Sequence, residues 1–493
     1  MFIHRRNVLK SLGLFAMEAS TSRVYGAQKK NRTASRAETY KKLVPLMQET
    51  PGFTTLRPSA DSRLIFVSSS GGDDSYAGTS PQQPLRSIAK AKTFLRHGYP
   101  DWLLLKKGDV WDEGFGQVKT GGRSATEPLV FASYGTSKKR PLLRTGSQSG
   151  IITNGGGASP KQVSFVVFSG LSFLCDTRVP RSPRFNPLQE LHGVQWLIGT
   201  EGLMFEDCVF QGYVTNIAVS DFASLGLRNL KVRRCQLLDA YATRGTHAQG
   251  IWANAVENIL YEDTLLDHNG WSEQLGNADY AVATIYNHNI YLNYNTKNVT
   301  INNCVIARGA SHGAQMRSGG HCENNLFFRN SISLMIGPGT DPKEKGPNGL
   351  WARVVRNVFL EGKDITLPKE PRGMGLDDNS AKTLDVEYNI FAHVARESPK
   401  VNQFAMRIIY PQAASTVKNN IIYDWKDPNP TPPARWVDPE RSLASYNATL
   451  GRPADANDFL MRARSLSRDE WRPEYTAPAV NDYIRAGFKL KRS

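Results

Sequence analysis

The sequence predicts an all-β solenoid: a single-stranded right-handed parallel β-helix with an N-terminal helical cap and a C-terminal helical, irregular segment. Two observations predict this fold. A short strand-like phrase recurs along the chain, and its copies are 22 to 40 residues apart. Each copy is too short to bury a core by itself, so coils stacked along one axis are expected.

The recurring phrase consists of an apolar residue, two polar residues that often include Asn, and a hydrophobic pair. Alignment on the residue after the polar pair gives the markers Leu171, Cys208, Cys235, Thr264, Cys304, Leu326, Val358, Ile390 and Ile421. The copies alternate in polarity, are rich in Val, Ile and Phe, and are bounded by Gly, Asn or Asp, which is typical of strands. A leucine-rich repeat would show a tighter Leu spacing, and a propeller would need four strands in each period.

Asn or Cys at one position of successive coils would form stacks inside the solenoid, with Asn side chains hydrogen-bonding along the turn. The five cysteines include no CxxC pair, and three of them fall on the marker position; they are Cys175, Cys208, Cys235, Cys304 and Cys322. We therefore expect buried thiols, and no metal site is predicted from a ligand motif.

The 493-residue chain carries a formal net charge of +16, which favours an anionic partner. No long Lys/Arg run or zinc-knuckle spacing supports nucleic acid, and no run of 18 apolar residues supports a membrane span. We expect an acidic polysaccharide as the partner of a monomeric protein.

The N-terminus predicts export. The run His4-Arg5-Arg6-Asn7-Val8-Leu9-Lys10 resembles a twin-arginine signal, although His4 and Val8 depart from the usual pattern. An apolar stretch and small residues follow it. We assign residues 1–27 to an export signal and expect a periplasmic or secreted protein.

The remaining chain divides into a helical cap at residues 28–61, the β-helix at residues 62–426 and a C-terminal capping segment at residues 427–493. The cap has helical periodicity. After residue 427 the strand repeat ends, and the sequence becomes rich in Pro, Arg and Asp, with Ala and Leu at helical spacing. This last segment is expected to cover the open end of the last coil.

The first part of the β-helix carries a resemblance to a known group of proteins. A strand ends near Val67, an Asp/Gly turn with Asp73 and Asp74 follows, and an amphipathic helix begins after Pro84. This order resembles the first coils of pectin-lyase-like β-helix proteins, which include polysaccharide lyases, some glycosidases and phage tailspikes. The resemblance covers residues 62–425 and implies the fold and action on a polysaccharide.

Three neighbouring segments hold the candidate functional residues. They are His247–Asn254, Asn287–Tyr294 and Ser311–Gly319, and each has a His at or next to its start. Strand alternation then predicts that Trp252/Asn254, Tyr291/Asn293 and Gln315/Arg317 point outward together and form a groove for a linear polymer. The long step between Thr264 and Cys304 predicts a long loop beside this face.

A basic, aromatic groove of this kind suits β-elimination on a uronic acid polymer. A cation or amide, from Arg317, Asn289 or Gln315, or a bound Ca²⁺, would neutralise the substrate carboxylate. A base would then remove the C5 proton, and an acid would protonate the leaving oxygen. The candidate catalytic residues are His288, Tyr291, His312, Arg317 and Lys297. The candidate substrate-binding residues are His247, Trp252, Asn254, His268, Trp271, Asn289, Asn293 and Gln315.

Lys297 enters this list because some lyase β-helices use a Lys and an Arg on neighbouring coils, and Lys297 and Arg317 are about one coil apart. It ranks below His288 and Tyr291, since it opens a different strand.

Other functions remain open on the sequence alone. A glycoside hydrolase would need two carboxylates about 5–9.5 Å apart, and Asp267 with Glu273 or Asp279 is a candidate pair. A C5-epimerase would share the carbanion intermediate of the lyase. A non-catalytic glycan-binding β-helix is the third alternative.

Overall fold

The computed structural model describes residues 40–154, 160–222, 224–243, 247–275, 282–337, 350–363, 373–378, 381–394, 404–408, 415–425, 438 and 440–490. The predicted export signal, residues 1–27, lies outside this part of the chain. The described strands form three parallel sheets, visited in the order sheet 1, sheet 2 and sheet 3 in each coil. The chain is therefore a right-handed parallel β-helix, as the repeats predicted.

Sheet 1 has 12 strands. They are β1 (Leu64–Val67), β2 (Trp102–Lys106), β5 (Leu129–Tyr134), β8 (Val166–Ser169), β11 (Thr200–Glu206), β14 (Leu227–Arg233), β17 (Val256–Glu262), β20 (Lys297–Asn302), β23 (Gly320–Glu323), β26 (Trp351–Val355), β29 (Thr383–Glu387) and β32 (Thr416–Lys418).

Sheet 2 has 11 strands, most of them short. They are β3 (Val110–Trp111), β6 (Leu142–Arg144), β9 (Ser172–Leu174), β12 (Val209–Gln211), β15 (Gln236–Leu238), β18 (Leu265–Asp267), β21 (Val305–Ala307), β24 (Leu326–Phe328), β27 (Val358–Gly362), β30 (Ile390–Val394) and β33 (Ile421–Tyr423).

Sheet 3 has 10 strands. They are β4 (Gly116–Gln117), β7 (Ile151–Asn154), β10 (His192–Leu197), β13 (Thr215–Ser220), β16 (Gln249–Asn254), β19 (His288–Leu292), β22 (His312–Met316), β25 (Ile332–Ile336), β28 (Met374–Asp378) and β31 (Met406–Ile408).

The corner between sheets 1 and 2 is a two-residue turn in nine successive coils, from β8–β9 to β32–β33. Its first residue adopts the left-handed conformation, as in Asp207 (φ 59°) and Asn324 (φ 53°). Its second residue points inward. These second residues are Leu171, Cys208, Cys235, Thr264, Cys304, Asn325, Asn357, Asn389 and Asn420.

The inward corner residues form the stack predicted from the sequence. Asn325 Nδ2 donates to Asn357 Oδ1 at 2.9 Å, and Asn357 Nδ2 donates to Asn389 Oδ1 at 3.0 Å. Each Asn also receives the backbone N–H of the preceding coil's corner residue, as in Cys304 N to Asn325 Oδ1 at 2.8 Å. Buried polar groups of the backbone are satisfied in this way.

The marker alignment was wrong by one residue in its last four copies. β21 pairs with β24 so that Val305 lies beside Leu326. Leu326, Val358, Ile390 and Ile421 are therefore first strand residues, and the Asn before each of them is the true equivalent of Cys304. The error arose because a hydrophobic residue directly follows the corner Asn in these four coils, so either position satisfies the pattern.

The five cysteines are buried free thiols, as predicted. Burial raises the pKa of Cys175 to about 11 and that of Cys322 to about 12, so these thiols stay protonated at neutral pH. Phenylalanines form further stacks in the interior. Phe359 and Phe391 lie 4.4 Å apart at the ring centroids and are parallel within 1°.

Helix α1 (Ile88–Lys92) follows the Asp/Gly turn, as the resemblance implied. Its Ile88 and Ala91 are buried against the interior of the first coils. Asp74 accepts hydrogen bonds from the backbone N–H of Arg86 and Ser87 at the start of this helix. The turn therefore positions the helix that closes this end of the core.

The described residues of the predicted helical cap, residues 40–61, contain one 3₁₀ helix, Pro45–Met47. Val44, Leu46 and Met47 are buried, together with Phe66 and Trp102, on the outer side of sheet 1. This part of the segment therefore covers the side of the first coils.

The C-terminal segment contains α2 (Leu443–Thr449), α3 (Ala456–Arg464) and α4 (Ala477–Gly487). They pack on the outer face of sheet 2, whose apolar side chains include Leu265, Phe328 and Leu360. The expectation that this segment covers the open end of the last coil does not match its described part, which lies along the side of the solenoid. Both faces of sheet 2 are apolar, so its outer face needs this cover.

Two side chains of α4 bind corner backbone. Asn481 Nδ2 donates to the carbonyl of Asn324 at 3.0 Å, and Arg485 Nη1 donates to the carbonyl of Tyr388 at 3.2 Å. No helix in the described part of the chain is both long enough and apolar enough to cross a membrane.

Replacing one member of the Asn stack tests the role of the corner. Asn357→Ala removes the acceptor of the Asn325 N–H and the donor to the Cys322 carbonyl, both buried. Each group left unsatisfied costs about 1–3 kcal/mol, so the free energy of unfolding should fall measurably in urea or thermal unfolding. Asn457→Ala, at an exposed position of α3, is the matched control and should change stability little. Equal effects of the two substitutions would contradict this role.

Candidate functional site

Long connections flank sheet 3. Residues 239–248 and 268–287 lead from sheet 2 into β16 and β19, and residues 337–350 lead from β25 back to sheet 1. The connection at 268–287 is the long loop expected between Thr264 and Cys304, and it ends directly at His288. In these coils the sheet 1–sheet 2 corner is a two-residue turn, so the long connections join strands at the two corners that border sheet 3.

The register of sheet 3 sets the side chains on its outer face. Trp252 pairs with Tyr291, and Tyr291 pairs with Gln315, so these three side chains lie next to one another on neighbouring coils. Their strand neighbours Ile251, Ile290 and Ala314 are fully buried in the core. We call the outward side chains of β10, β13, β16, β19, β22 and β25, with Asn293 and Arg317 just beyond β19 and β22, the sheet-3 face.

Two histidines stand side by side at one edge of the sheet-3 face. His288 pairs with His312 in the strand register, and their Nδ1 atoms are 3.0 Å apart. Ser311 Oγ lies 3.0 Å from the same Nδ1 of His312. A hydrogen bond between two Nδ1 atoms needs one donor and one acceptor, so one ring carries its proton on Nδ1 and the other does not.

Tyr291 and Arg317 form a second pair beside the histidines. Arg317 Nη1 donates to Tyr291 Oη at 2.7 Å, and the ring of Tyr291 lies 5.2 Å from that of His288. Because Oη accepts this bond, the hydrogen of the phenol points away from the guanidinium. The sheet-3 face therefore brings together four of the five predicted catalytic residues.

Aromatic side chains stand on both sides of these pairs. Trp252 is half-buried and lies 6.2 Å, ring to ring, from Phe222, which is 65% exposed. His247 stacks on Tyr286 at 5.2 Å with nearly parallel rings, and both are exposed.

The polar side chains that were predicted to bind substrate on the sheet-3 face are amides. Asn254 Nδ2 donates to Ser220 Oγ at 3.1 Å, Asn293 Oδ1 accepts from the N–H of Tyr294 at 2.8 Å, and Gln315 Nε2 lies 3.2 Å from Met335 Sδ. All three side chains are partly exposed.

Asn289 does not lie on this face. It is fully buried, and its Nδ2 donates to the carbonyl of Ala307 at 2.9 Å while its Oδ1 accepts from Asn269 Nδ2 at 2.7 Å. It belongs to a second internal Asn stack, at the corner between sheets 2 and 3, with Asn216, Asn269 and Asn330. This placement does not support the substrate contact expected of Asn289.

Lys297 is also separate from the other candidates. It opens β20 in sheet 1, is exposed and pairs in register with Glu257. Sheet 1 also carries a cavity of about 450 Å³ between Thr54 and Leu260, and none of the predicted site residues lines it.

His268 and Trp271 lie in the turn that follows β18, under helix α3. His268 Nδ1 is 3.1 Å from Asp239 Oδ1 and its Nε2 is 2.6 Å from Glu273 Oε2. Burial by itself lowers the pKa of His268, but the hydrogen bonds to the two carboxylates outweigh it and raise the pKa to about 9. Trp271 Nε1 donates to the Arg308 carbonyl at 2.8 Å. His268, Asp239 and Glu273 line a separate cavity of about 290 Å³.

The predicted carboxylate pair is used for structure. Asp267 is fully buried and accepts hydrogen bonds from Arg308 and from Arg464 of α3. Glu273 binds His268, and Asp279 lies outside the described residues. Asp377, further along sheet 3, is held by Arg407 through two bonds of 2.7 Å. Within the described chain, no group of three or more His, Cys, Asp or Glu side chains is arranged to hold a metal ion.

The sheet-3 face carries fewer basic side chains than the predicted basic groove. Among the outward positions of the sheet-3 face in the described chain, Arg317 is the only Arg or Lys. The other Lys and Arg side chains of the described residues therefore lie outside the sheet-3 face. Sequence reasoning also missed Phe222 and Tyr286, which precede or follow sheet-3 strands in loops where strand alternation gives no signal.

Comparisons with known proteins give distant likenesses. No family model matches the chain. A segment of 103 residues is 27% identical to the lacto-N-biosidase of Bifidobacterium longum subsp. longum and spans 20% of this chain and 6% of that protein. A rhamnogalacturonan lyase structure aligns over 83% of this chain and 100% of its own, at 12% identity and a TM-score of 0.46. A pectate lyase aligns over 85% and 89%, at 14% identity and a TM-score of 0.37. The parallel sheets agree with the predicted likeness to pectin-lyase-like proteins, and the alignments carry no argument about the reaction.

The cluster around His268 makes a pH-dependent contribution to stability. Its folded pKa of about 9 lies above the ordinary value of about 6.5, so the contribution is complete below pH ~6.5 and is lost as the pH rises through ~9. The charged groups around it are Asp239, Glu273, Arg308 and Arg464. His268→Gln should lower the melting temperature most near pH 6 and least near pH 10. His321→Gln, which removes a more exposed His–Glu pair, is the control. A deficit that is constant with pH would contradict the assignment.

Proposed function

We propose that this protein is a carbohydrate-active enzyme that cleaves a uronic-acid-containing polysaccharide by β-elimination at the sheet-3 face. The observation that carries the proposal is that two proton-transfer pairs, His288–His312 and Tyr291–Arg317, lie next to each other on one sheet, where Tyr291 and Arg317 are partly exposed and the two histidines are buried beside them. The twin-arginine-like leader agrees with action on a polymer outside the cytoplasm.

We assign to Arg317 the role of binding and neutralising the substrate carboxylate. Elimination requires a weakly acidic C5–H bond to break, and a cation at the carboxylate stabilises the charge that develops there. A guanidinium has five N–H donors, so Arg317 can bind Tyr291 and a carboxylate oxygen together. This places the uronate ring over Tyr291.

The histidine pair is assigned the base. The neutral ring that donates from Nδ1 carries no proton on Nε2, whereas the other neutral ring carries its proton there. We assign the role of base to the Nε2 of the ring that donates from Nδ1. In the step, Nε2 takes the C5 proton, the C4–O4 bond breaks, and a double bond forms between C4 and C5.

Tyr291 is assigned the acid. Its phenol hydrogen is directed away from Arg317, and the leaving O4 receives it. The four strands β16, β19, β22 and β25 contain no Asp or Glu. A hydrolase would need paired carboxylates, so the chemistry of these strands favours proton transfer by His and Tyr.

The proposal predicts an elimination product that depends on Tyr291. The purified protein, with and without EDTA, is incubated with alginate, pectate, glucuronan, hyaluronan and gellan while the ultraviolet absorbance of an unsaturated uronate is followed. Tyr291→Phe should reduce the rate by roughly 10²–10⁴-fold, the range expected for loss of a general acid or base. A loss of activity in EDTA would indicate that Ca²⁺ takes part at the carboxylate.

The matched control is Tyr388→Phe, at an exposed corner residue outside the sheet-3 face, which should retain full activity. New reducing ends without ultraviolet absorbance would overturn elimination in favour of hydrolysis. A change of sugar configuration without cleavage would indicate an epimerase, and binding without any reaction would indicate a glycan-binding protein.

A further inference from the structure

We propose that the substrate is a heteropolysaccharide in which the cleaved uronate is flanked by uncharged sugars, and that the uncharged sugar on the N-terminal side of the face stacks on Trp252 and Phe222. This inference rests on the proposed function and adds the substrate class. It follows from the distribution of charge and aromatic surface on the sheet-3 face.

The side chains of the sheet-3 face form three rows along the solenoid. The central row is Gln195, Ala218, Trp252, Tyr291, Gln315 and Met335. The row on the sheet 2 side is His192, Thr215, Gln249, His288, His312 and Ile332. The row on the sheet 1 side is Ser220, Asn254, Asn293 and Arg317. Apart from the histidines, only Arg317 in these rows is ionisable to a cation.

A polyuronate does not match this charge pattern. It carries a carboxylate on every sugar, while neighbouring coils present their side chains about 4.8 Å apart. Most carboxylates of such a chain would meet amides, Trp252 or Met335, and a carboxylate that loses water without gaining a cation is disfavoured. A polymer with isolated uronates places one carboxylate at Arg317 and none elsewhere.

The aromatic pair lies where the neighbouring sugar would be. Trp252 is the direct register neighbour of Tyr291 on the coil before it, so it adjoins the position assigned to the cleaved uronate. Phe222 lies 6.2 Å from it, ring to ring, and is 65% exposed. Flat aromatic surfaces take up the apolar C–H face of a pyranose.

The polar groups around this aromatic pair are uncharged amides and one acid. Asn254 lies two residues beyond Trp252 on the same strand, and Gln195 is on the same row two coils away. The acid is Asp221, which follows Ser220 and is mostly buried. An acid here disfavours a second carboxylate, so this subsite selects a sugar that offers hydroxyl groups only.

The test compares polymers by binding and by cleavage. Hyaluronan and gellan contain uncharged sugars next to each uronate, whereas pectate, alginate and glucuronan carry a carboxylate on every residue. The proposal predicts that affinity gel electrophoresis detects binding of hyaluronan or gellan and that the polyuronates bind at least tenfold more weakly. Trp252→Ala should weaken binding of the heteropolymer by roughly tenfold, the effect of removing a central aromatic contact.

Salt gives a second readout. Between about 0.1 M and about 1 M NaCl the screening length falls from about 10 Å to about 3 Å. Because a single ion pair at Arg317 is involved, the affinity should fall by no more than about fivefold. A polyanion held at many cations would lose far more.

Trp351→Ala is the matched control, since Trp351 is 50% exposed on sheet 1, and it should bind like the wild type. Melting temperatures of both variants check that they are folded. Tight, strongly salt-dependent binding of polyuronates, unaffected by Trp252→Ala, would overturn the inference while leaving elimination intact. If a heteropolymer binds in a Trp252-dependent way but no unsaturated product forms, the elimination proposal would be overturned. The proposed sugar subsite at Trp252 and Phe222 would still stand. Failure to bind any of the five polymers would overturn both.

Discussion

The structure depends on the left-handed corner between sheets 1 and 2. One residue takes a positive φ there, the next turns its side chain into the core, and that side chain satisfies backbone groups that no sheet reaches. Because the turn has two residues in nine successive coils, the same register is kept from one of these coils to the next. In these nine coils the insertions are thereby confined to the other two corners, which border sheet 3.

The fixed register also determines which side chains meet on sheet 3. His288 contacts His312, and Tyr291 contacts Arg317, although each pair is separated by more than twenty residues in the chain. The scaffold holds these groups on rigid strands, which is the condition for proton transfer at defined positions. Among the described residues of the sheet-3 face, Arg317 is the one guanidinium, and its neighbours on the central row are neutral. Other cations of this basic chain stabilise the fold. Arg464 binds Asp239 and Asp267, for example, and holds α3 to the coils.

Much of this arrangement could be predicted from the sequence. The recurring strand phrase predicts the fold, because each strand, corner and stack depends on local pattern, and alternation places Trp252 beside Tyr291 and Gln315. Strand alternation did not predict the buried position of Asn289. A residue next to a corner can turn inward to bind backbone carbonyls, and this breaks the alternation. The position of the C-terminal helices could have been predicted from the sequence. The sheet-2 strands are apolar on both faces, so their outer face has to be covered by another segment. The location of the positive charge had no such signal, since net charge is a sum over the whole surface.

The central claim is that cleavage at the sheet-3 face is an elimination, and the mass balance of the reaction tests it most directly. Mass spectrometry of a defined oligosaccharide cut once by the protein compares the summed masses of the two products with the mass of the substrate. Elimination adds no atoms, so the account predicts that the sum equals the substrate mass and that the new non-reducing end is unsaturated. A sum that exceeds the substrate by one water molecule would contradict the account and show hydrolysis.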